Sequence, residues 1–493
     1  MGTSADEVAV IIEAAHTACL DSKAVPSETR AAWLEGIASA LAANAHELVY
    51  LAGSDTNLQE ARLQGELNRT IFQLRLLAAE VLQGEHLDAT IDHADPEWGM
   101  GPRPDLRRLN VPLGVVGVFG ASNFPFAFSV IGGDSASALA AGCSVVHKIH
   151  DGHLVLGLRT SEIVIEALLA AGAPAGLFTT VLGREAAETL VDHPLVKAIG
   201  FTGSTSGGRA LFDRAARRPE PIPFYGELGS INPVFVTERA WAARRQQILK
   251  EYAGSISMGM GQFCTKPGLM FAPIDDIAEA RDLLKRALGE APLTRLLSPR
   301  LREGFDESLV RMSAVDGVTV LVQGDSAEAP FPTVLFTTTD TVLRAPELLK
   351  TEMFGPATLL IAYKPGADLT ELAGLMHGQL TATLQAEPDE NLATLTAALS
   401  DTSGRVLWNG WPTGVTVSYA QQHGGPYPAT TAVATSVGTA AIRRFMRPVA
   451  FQSFPSSQLP APLQDDNPWA IRRRIDGVWT AALHERKREA ASW

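Results

Sequence analysis

The chain has 493 residues, 46% hydrophobic and 19% charged, a balance that excludes a largely disordered protein and allows two or three domains. Lys and Arg number 41 against 54 Asp and Glu, a net charge of -13, which argues against a nucleic-acid-binding surface. Three cysteines are too few for a disulfide framework and fit a reducing compartment.

The N-terminus, Met1 to Glu7, is acidic and no long apolar core follows it, which reads against a secretory signal. No apolar run reaches the roughly 18 residues of a membrane span, so the expected location is cytoplasmic. The first ninety residues read as helical, with Leu34, Ile37, Leu41 and Leu48 near helical spacing. Residues 95 to 110, rich in Pro, Gly and charge, read as an extended connection.

From there strands and helices alternate. Strands are predicted at Val115–Phe119, Ser144–Ile149, Phe178–Leu182, Ala198–Phe201 and Pro233–Val236. Helices are predicted from Ser122-Asn123-Phe124-Pro125 onward, over His153–Ala171 and around Arg209–Arg217. The alternation predicts an α/β fold with a Rossmann-type parallel sheet, whose cofactor site lies at the carboxyl ends of the strands. The turn Gly203-Ser204-Thr205 stands at such an end, where backbone N–H groups favour a pyrophosphate. From about 240 to 440 the mixed pattern continues less regularly. The Pro-rich and then basic tail from 459 reads as loosely held.

Four residues carry candidate chemistry. Cys264 lies in a glycine-rich stretch, Met258-Gly259-Met260-Gly261-Gln262-Phe263-Cys264, that allows a thiol into a narrow channel. Cys19 and Cys143 read as buried structural residues. Glu227 follows an apolar segment and is flanked by glycines, a setting for a general base or an ordinary loop carboxylate. Asn123 offers a side-chain amide to a developing oxyanion, or a plain helix cap. Lys148 ends a buried strand, where it reaches a cofactor or snorkels to water. No metal-ligand cluster is evident.

In order, Ser122-Asn123-Phe124-Pro125, Phe201-Thr202-Gly203-Ser204-Thr205, Glu227-Leu228-Gly229, Gly261-Gln262-Phe263-Cys264-Thr265 and Glu352-Met353-Phe354-Gly355-Pro356 resemble the aldehyde dehydrogenase superfamily over essentially the whole chain. The resemblance implies an NAD- or NADP-binding domain over 1–94 and 114–228 and a catalytic domain over 229–440. It further implies β oligomerisation strands at 95–113 and 441–460, with a tail at 461–493. It makes Cys264 the nucleophile, Glu227 the base, and Asn123 with the Cys264 backbone N–H the oxyanion hole. It places Phe119, Ser122, Lys148, Gly203, Ser204, Glu352 and Phe354 at the cofactor. An aldehyde would be oxidised to the acid through a thiohemiacetal and a thioester on Cys264. The implied assembly is a homodimer or homotetramer, with no nucleic acid or membrane partner.

Arg103-Pro104-Asp105, Gly132-Gly133-Asp134-Ser135 and His423-Gly424-Gly425-Pro426-Tyr427-Pro428 narrow the resemblance to the 2,5-dioxovalerate (α-ketoglutarate semialdehyde) and fatty aldehyde dehydrogenase branch. A semialdehyde such as 2,5-dioxopentanoate is therefore the expected substrate, with a long-chain or broad-specificity activity as the alternative. An inactive scaffold, a cofactor-free thiol esterase and a CoA-acylating enzyme are the other readings. The Cys264, Glu227, Asn123 and Lys148 set, with the Gly203-Ser204 turn, speaks against them. Asp151, after Lys148, suits a ribose 2′-hydroxyl and so NAD, whereas Arg184, after Gly183, suits NADP; the balance leans to NAD. Phe124, Ala127, Phe128 and Ile131 are expected along one tunnel wall, with Trp411, His423 and Tyr427 at its mouth.

Overall fold

In a computed structural model, residues 2–324 and 329–480 are described. Helices α1 (Ala5–Asp21), α2 (Ser27–Ala43), α3 (Ala45–Thr56) and α4 (Glu60–Gln83) open the chain. A capping box starts α1: Ser4 Oγ accepts from the Glu7 N–H, and the Glu7 carboxylate accepts from the Ser4 N–H. Helical spacing then buries Val8, Ile12, Ala15 and Cys19. Leu63, Leu67, Leu74, Leu77 and Val81 bury one stripe of α4, which ends where Gly84 takes a left-handed conformation.

Strands β1 (Thr90–Asp92) and β2 (Leu106–Pro112) lead into the first parallel unit. That unit runs β3 (Val115–Phe119), α5 (Gly133–Ala141), β4 (Ser144–Lys148), α6 (Leu154–Ala170), β5 (Phe178–Val181), α7 (Gly183–Asp192), β6 (Val196–Thr202), α8 (Thr205–Ala216) and β7 (Phe224–Glu227). Its five strands are parallel in the order β5-β4-β3-β6-β7. β3 is fully buried, which explains its unbroken apolar run. Phe119 stands opposite Lys148 on one side and Phe201 on the other, so these three mark the carboxyl edge of the sheet.

The second unit contains β8 (Pro233–Val236), α9 (Glu238–Ser257), β9 (Leu269–Ala272), α10 (Ile277–Gly289), α11 (Pro299–Ser313), β10 (Thr319–Val322), β11 (Thr333–Thr338) and α12 (Thr339–Arg344). It continues through β12 (Ala357–Ala362), α13 (Leu369–Gly374), β13 (Gln379–Gln385), α14 (Ala393–Thr402) and β14 (Ser403–Trp408). Its seven-stranded sheet, β10-β11-β12-β9-β8-β13-β14, is parallel except at β10, so this half is as regular as the first. A third sheet is β15-β2-β1-β16-β17, with β15 (Met446–Gln452), β16 (Arg474–Ile475) and β17 (Val478–Trp479). β15 lies antiparallel on β2 in continuous register from Met446 opposite Pro112 to Gln452 opposite Leu106. No helix of the described residues is long and apolar enough to cross a membrane.

Two local expectations are corrected. No helix starts at Asn123: residues 123–132 form successive turns, and α5 begins at Gly133. Phe126 and Ala127 both donate their N–H groups to Glu66 Oε1, and Ala121 donates to the Phe128 carbonyl, so the groups a helix would use are taken. The tail, read as loose, pairs through β16 with β1, and Arg473 donates to the Gln464 carbonyl. Residues 481–493 of the expected tail segment lie outside the described residues.

Helix α5 of the first unit is tied to the chain's last third by a buried ion pair. Arg444 Nη2 donates to Asp134 Oδ1 at 2.7 Å, with both side chains buried. Burial pushes the Asp134 carboxyl up, and Arg444 pulls it back. Removing one partner leaves an uncompensated buried charge. Arg444→Met is expected to cost about 3–5 kcal/mol in urea unfolding. Asp134→Asn in the same chain should recover part of that loss.

Candidate active site

Cys264 is set by the turn that ends α9. Gly259, Met260 and Gly261 all take left-handed backbone conformations, which reverses the chain within three residues. A Cβ on Gly261 would strike the Gly355 carbonyl, so the Cys264 and Glu352–Pro356 segments meet backbone to backbone. Lys266 staples them together: its buried ammonium donates to the carbonyls of Met353, Gly355 and Ala357. Burial lowers that ammonium to about 8, and Glu352 opposes the shift. Asn232 Nδ2 donates to the Cys264 and Lys266 carbonyls at 2.8 and 2.9 Å. Gln379 Oε1 in turn accepts the N–H of Asn232 and of Ile231. The thiol thus rides on a loop whose own carbonyl is pinned.

Glu227 ends β7 and is buried. Its Oε1 lies 2.9 Å from His423 Nε2, and its Oε2 accepts from Ser436 Oγ at 2.8 Å. The same imidazole nitrogen lies 3.7 Å from Cys264 Sγ. His423 and Ser436 are the two ends of one loop, closed by a bond from the Ser436 N–H to the His423 carbonyl. That loop is also sewn to β7, through Leu228 N to the Ala429 carbonyl and Thr431 N to the Gly226 carbonyl.

The electrostatics follow from burial. Desolvation raises the Glu227 carboxyl, but His423 and hydrogen bonds from His423, Ser436 and Cys264 outweigh it and hold the group below its ordinary range. Desolvation first, then the Glu227 carboxylate, push the Cys264 thiol well above its ordinary value. The resting pair is therefore a carboxylate beside a neutral thiol, the arrangement of a base and its proton donor. Ligand atoms of Cys264, Glu227 and His423 all lie within 4.8 Å of one another, and thiolate, imidazole and carboxylate are also donors a zinc ion takes.

Asn123 reaches the same centre without capping a helix. Its Nδ2 donates to the Gln262 carbonyl at 3.0 Å, two residues before Cys264, which leaves one amide N–H unused. Phe124 meets Phe263 and Phe128 edge-on at 5.2 and 5.4 Å. Phe128 meets the His423 ring at 5.8 Å. Ala127 and Phe128 form a small apolar cluster with Ala121, Val417 and Val437, against which Phe124 packs.

Three tunnel expectations find other places. Ile131 is buried in the main core of the first unit. Trp411 packs on Tyr252 and donates to Glu251 on α9. The half-exposed Tyr427 accepts from Arg209 of α8. His423, expected at the mouth, lies at the centre beside the thiol.

At the sheet edge, Lys148 Nζ meets Asp151 Oδ1 at 3.0 Å. Ser122 faces the next turn, at Gly152. Ser204 caps α8 by accepting from the Gly207 N–H, and the first N–H groups of the helix have no intrahelical partner. Gly203 donates to the Glu227 carbonyl, which links this turn to the base. A Cβ on Gly229 would lie 2.6 Å from Glu352 Oε2 and 2.8 Å from Thr205 Oγ1, so the Glu352 carboxylate borders the start of α8. Burial raises that carboxyl to about 7. Phe354 is half-buried on the same loop. Gly183 opens α7 in a left-handed conformation, and Arg184 points along α7 to Glu188, 93% exposed. Phe119 is buried against Phe201 at the carboxyl edge of the sheet.

Sequence reasoning missed Ser436, Asn232, Gln379 and Lys266, each a polar residue whose role depends on partners far along the chain. It also missed Arg62, Glu66 and Arg69 of α4. Their four- and three-residue spacing puts three charges on one helical face, which was a readable signal.

Known proteins resemble this chain over most of its length. The model of the "Aldehyde dehydrogenase family" matches residues 2–447. The chain is 44% identical over 468 residues to alpha-ketoglutaric semialdehyde dehydrogenase 2 of Azospirillum brasilense, covering 92% of this chain and 88% of that one. It is 40% identical over 485 residues to alpha-ketoglutaric semialdehyde dehydrogenase of Acinetobacter baylyi, covering 96% and 92%. Among solved structures, aldehyde dehydrogenase C of Pseudomonas syringae, complexed with NAD+ and octanal, superposes with a TM-score of 0.76 at 19% identity, covering 92% and 90%.

The three thiols differ enough to be told apart chemically. Cys19 and Cys143 are buried, and burial raises Cys143 to about 12, whereas Cys264 is partly accessible. Iodoacetamide is expected to label Cys264 first. Labelling should be slow at neutral pH and should accelerate as pH rises, because the raised pKa keeps the thiolate scarce below it. Glu227→Gln removes the adjacent negative charge and should speed labelling at fixed pH. Mass spectrometry of the labelled peptides, read against pH, checks both.

Proposed function

The chain belongs to the aldehyde dehydrogenase family, and we propose that it is an NAD(P)-dependent enzyme acting on a carboxylated semialdehyde such as 2,5-dioxopentanoate. The observation that carries the chemistry is the cluster of Cys264, His423 and Glu227 within hydrogen-bonding reach. The substrate reading rests on the two relatives that bear that activity's name over nine-tenths of this chain.

The residues at the sheet edge fit a dinucleotide. The free N–H groups at the start of α8 suit a pyrophosphate, Lys148 and Asp151 suit the adenosine ribose, and Glu352 suits the second ribose. Arg184, turned out to solvent, offers nothing to a 2′-phosphate inside the cleft, and Asp151 would repel one. Both favour NAD over NADP. The bound nicotinamide supplies a hydride acceptor.

The protein's own groups do the rest. The Cys264 proton moves to the Glu227–His423 pair as sulfur bonds to the aldehyde carbon. The oxygen that gains charge meets the unused Asn123 N–H and the Cys264 backbone N–H. Once hydride has left the same carbon, a thioester remains on Cys264. A water placed against Glu227 and His423 gives up a proton and adds to that thioester; the carboxylic acid departs and sulfur takes a proton back. His423 Nε2 faces both sulfur and carboxylate, so it links the two halves of the cycle as a proton carrier, while Ser436 fixes the far carboxylate oxygen. The open edge of β15, opposite its β2 partner, is where a second copy would add a strand, which supports a homodimer or homotetramer.

Reduced-cofactor absorbance with a panel of aldehydes tests the reading. Turnover is expected with a higher kcat/KM for NAD than for NADP; absence of turnover with every aldehyde overturns it. Cys264→Ala should abolish turnover and keep cofactor binding. Glu227→Gln should give an initial burst and then stall at the thioester. His423→Asn should slow both phases by on the order of 10²–10⁴-fold. A steady-state rate unchanged in the His423 variant would remove it from the proton path.

A further inference from the structure

α4 turns three charged side chains toward the site: Arg62, Glu66 and Arg69. Glu66 Oε1 is used by the N–H groups of Phe126 and Ala127. Arg62 Nη2 donates to the Asn123 carbonyl at 2.6 Å, and its guanidinium lies over the rings of Phe263 and Phe124. Arg62 is thus committed to holding the oxyanion-hole turn.

Arg69 is not committed in that way. Its Nε donates to the Val415 carbonyl at 3.1 Å, which fixes the plane of the guanidinium. The group lies over the Phe128 ring, 5.4 Å from its centre. Nη1 and Nη2 are both buried and make no hydrogen bond. Phe128 touches His423, and His423 touches Cys264, so the free fork stands two ring contacts from the reacting sulfur. Both its neighbours, Phe128 and Val415, belong to the apolar cluster beside the thiol. Arg405, the other guanidinium felt by Cys264, is already bound through its Nη atoms to the Pro412 and Gly414 carbonyls.

Arg69 feels the charges of Glu66, Cys264 and Glu227, yet none of them bonds its Nη atoms, so both ends of the fork stay unpaired beside the apolar cluster. A buried planar fork with both ends unpaired is costly unless an anion meets it, and a carboxylate is the anion whose two oxygens match it. We infer that Arg69 is the anchor for the distal carboxylate of the substrate and sets the preference for an aldehyde with a carboxylate a short carbon chain away. This rests on the semialdehyde reading above. On this reading the fork marks the far end of the site and the thiol the near end, with Phe128, which touches both Arg69 and His423, beside the carbons between.

The test compares 5-oxopentanoate with pentanal, equal in length and differing in the carboxylate. Wild type should prefer 5-oxopentanoate. Arg69→Met should raise its KM on the order of 10- to 100-fold and leave kcat/KM for pentanal within about twofold. Arg69→Lys, which keeps the charge without the fork, should fall between. Wild type that uses pentanal as well as 5-oxopentanoate overturns both the semialdehyde reading and the anchor. Wild type that prefers 5-oxopentanoate, with Arg69→Met keeping that preference, overturns the anchor alone. Equal loss toward both aldehydes also overturns it, since the residue then serves structure or chemistry. Should the methionine variant not fold, Arg69→Lys decides: a KM rise confined to 5-oxopentanoate supports the anchor, and an unchanged preference overturns it.

Discussion

A carboxylate inside a protein core must be paired, and at Glu227 that requirement organises three distant parts of the chain. β7 delivers the carboxylate, the loop 423–436 delivers its two hydrogen-bond partners, and the turn after α9 delivers the thiol that shares His423. The pairing cannot be satisfied locally, because Gly226 and Leu228 on either side spend their backbone groups on Thr431 and Ala429. Those bonds lock the loop to the strand edge, and the locked loop brings His423 to the sulfur. Stability and chemistry therefore draw on the same contacts: the device that makes a buried Glu227 tolerable also places its proton partner.

The thiol's loop obeys a second constraint, close backbone approach. Three left-handed residues and a glycine without Cβ let the Cys264 turn lie on the Gly355 carbonyl. Carbonyls crowded in this way need donors, and Lys266 supplies them from beneath. Its ammonium, lowered to about 8 by burial, holds these groups at the cost of desolvation, with Glu352 as the nearby compensating charge. Through these bonds the Cys264 loop and the Glu352–Pro356 segment are kept in one piece.

The parallel sheet was legible because its signals are local. Val115–Phe119 and Ser144–Lys148 are short apolar runs bounded by turn residues, and their β-branched content marks them directly. Cys264, Glu227, Asn123 and Lys148 were legible as candidates through their order along the chain. What stayed hidden depended on long-range pairing. The residues after Asn123 carry good helix-start chemistry, yet Glu66, some sixty residues earlier, captures the two N–H groups that a helix would have organised. His423 looked like a mouth residue because nothing beside it in sequence reveals that its loop folds back onto β7. Trp411 and Ile131 show the reverse error: large apolar residues close in sequence to functional ones were drawn toward the site, and ordinary core packing claimed them.

The separation of elements has a chemical consequence. Cys264, Glu227 and Asn123 sit on turns and a strand end, whereas Arg62, Glu66 and Arg69 are carried by helix α4. Arg62 touches the chemistry indirectly, through the Asn123 carbonyl, while Arg69 touches only the apolar wall and the Val415 carbonyl. A change at Arg69 leaves in place the hydrogen bonds that hold the Cys264 loop and Glu227, and reaches them only through charge. In a fold whose reaction is fixed by a buried pair that tolerates little change, selectivity is most freely carried by a helix that reaches the pocket from outside. The Arg69 fork on α4 is the physical form that this freedom takes: desolvated, held in orientation by one bond, and with both Nη atoms still free of hydrogen bonds.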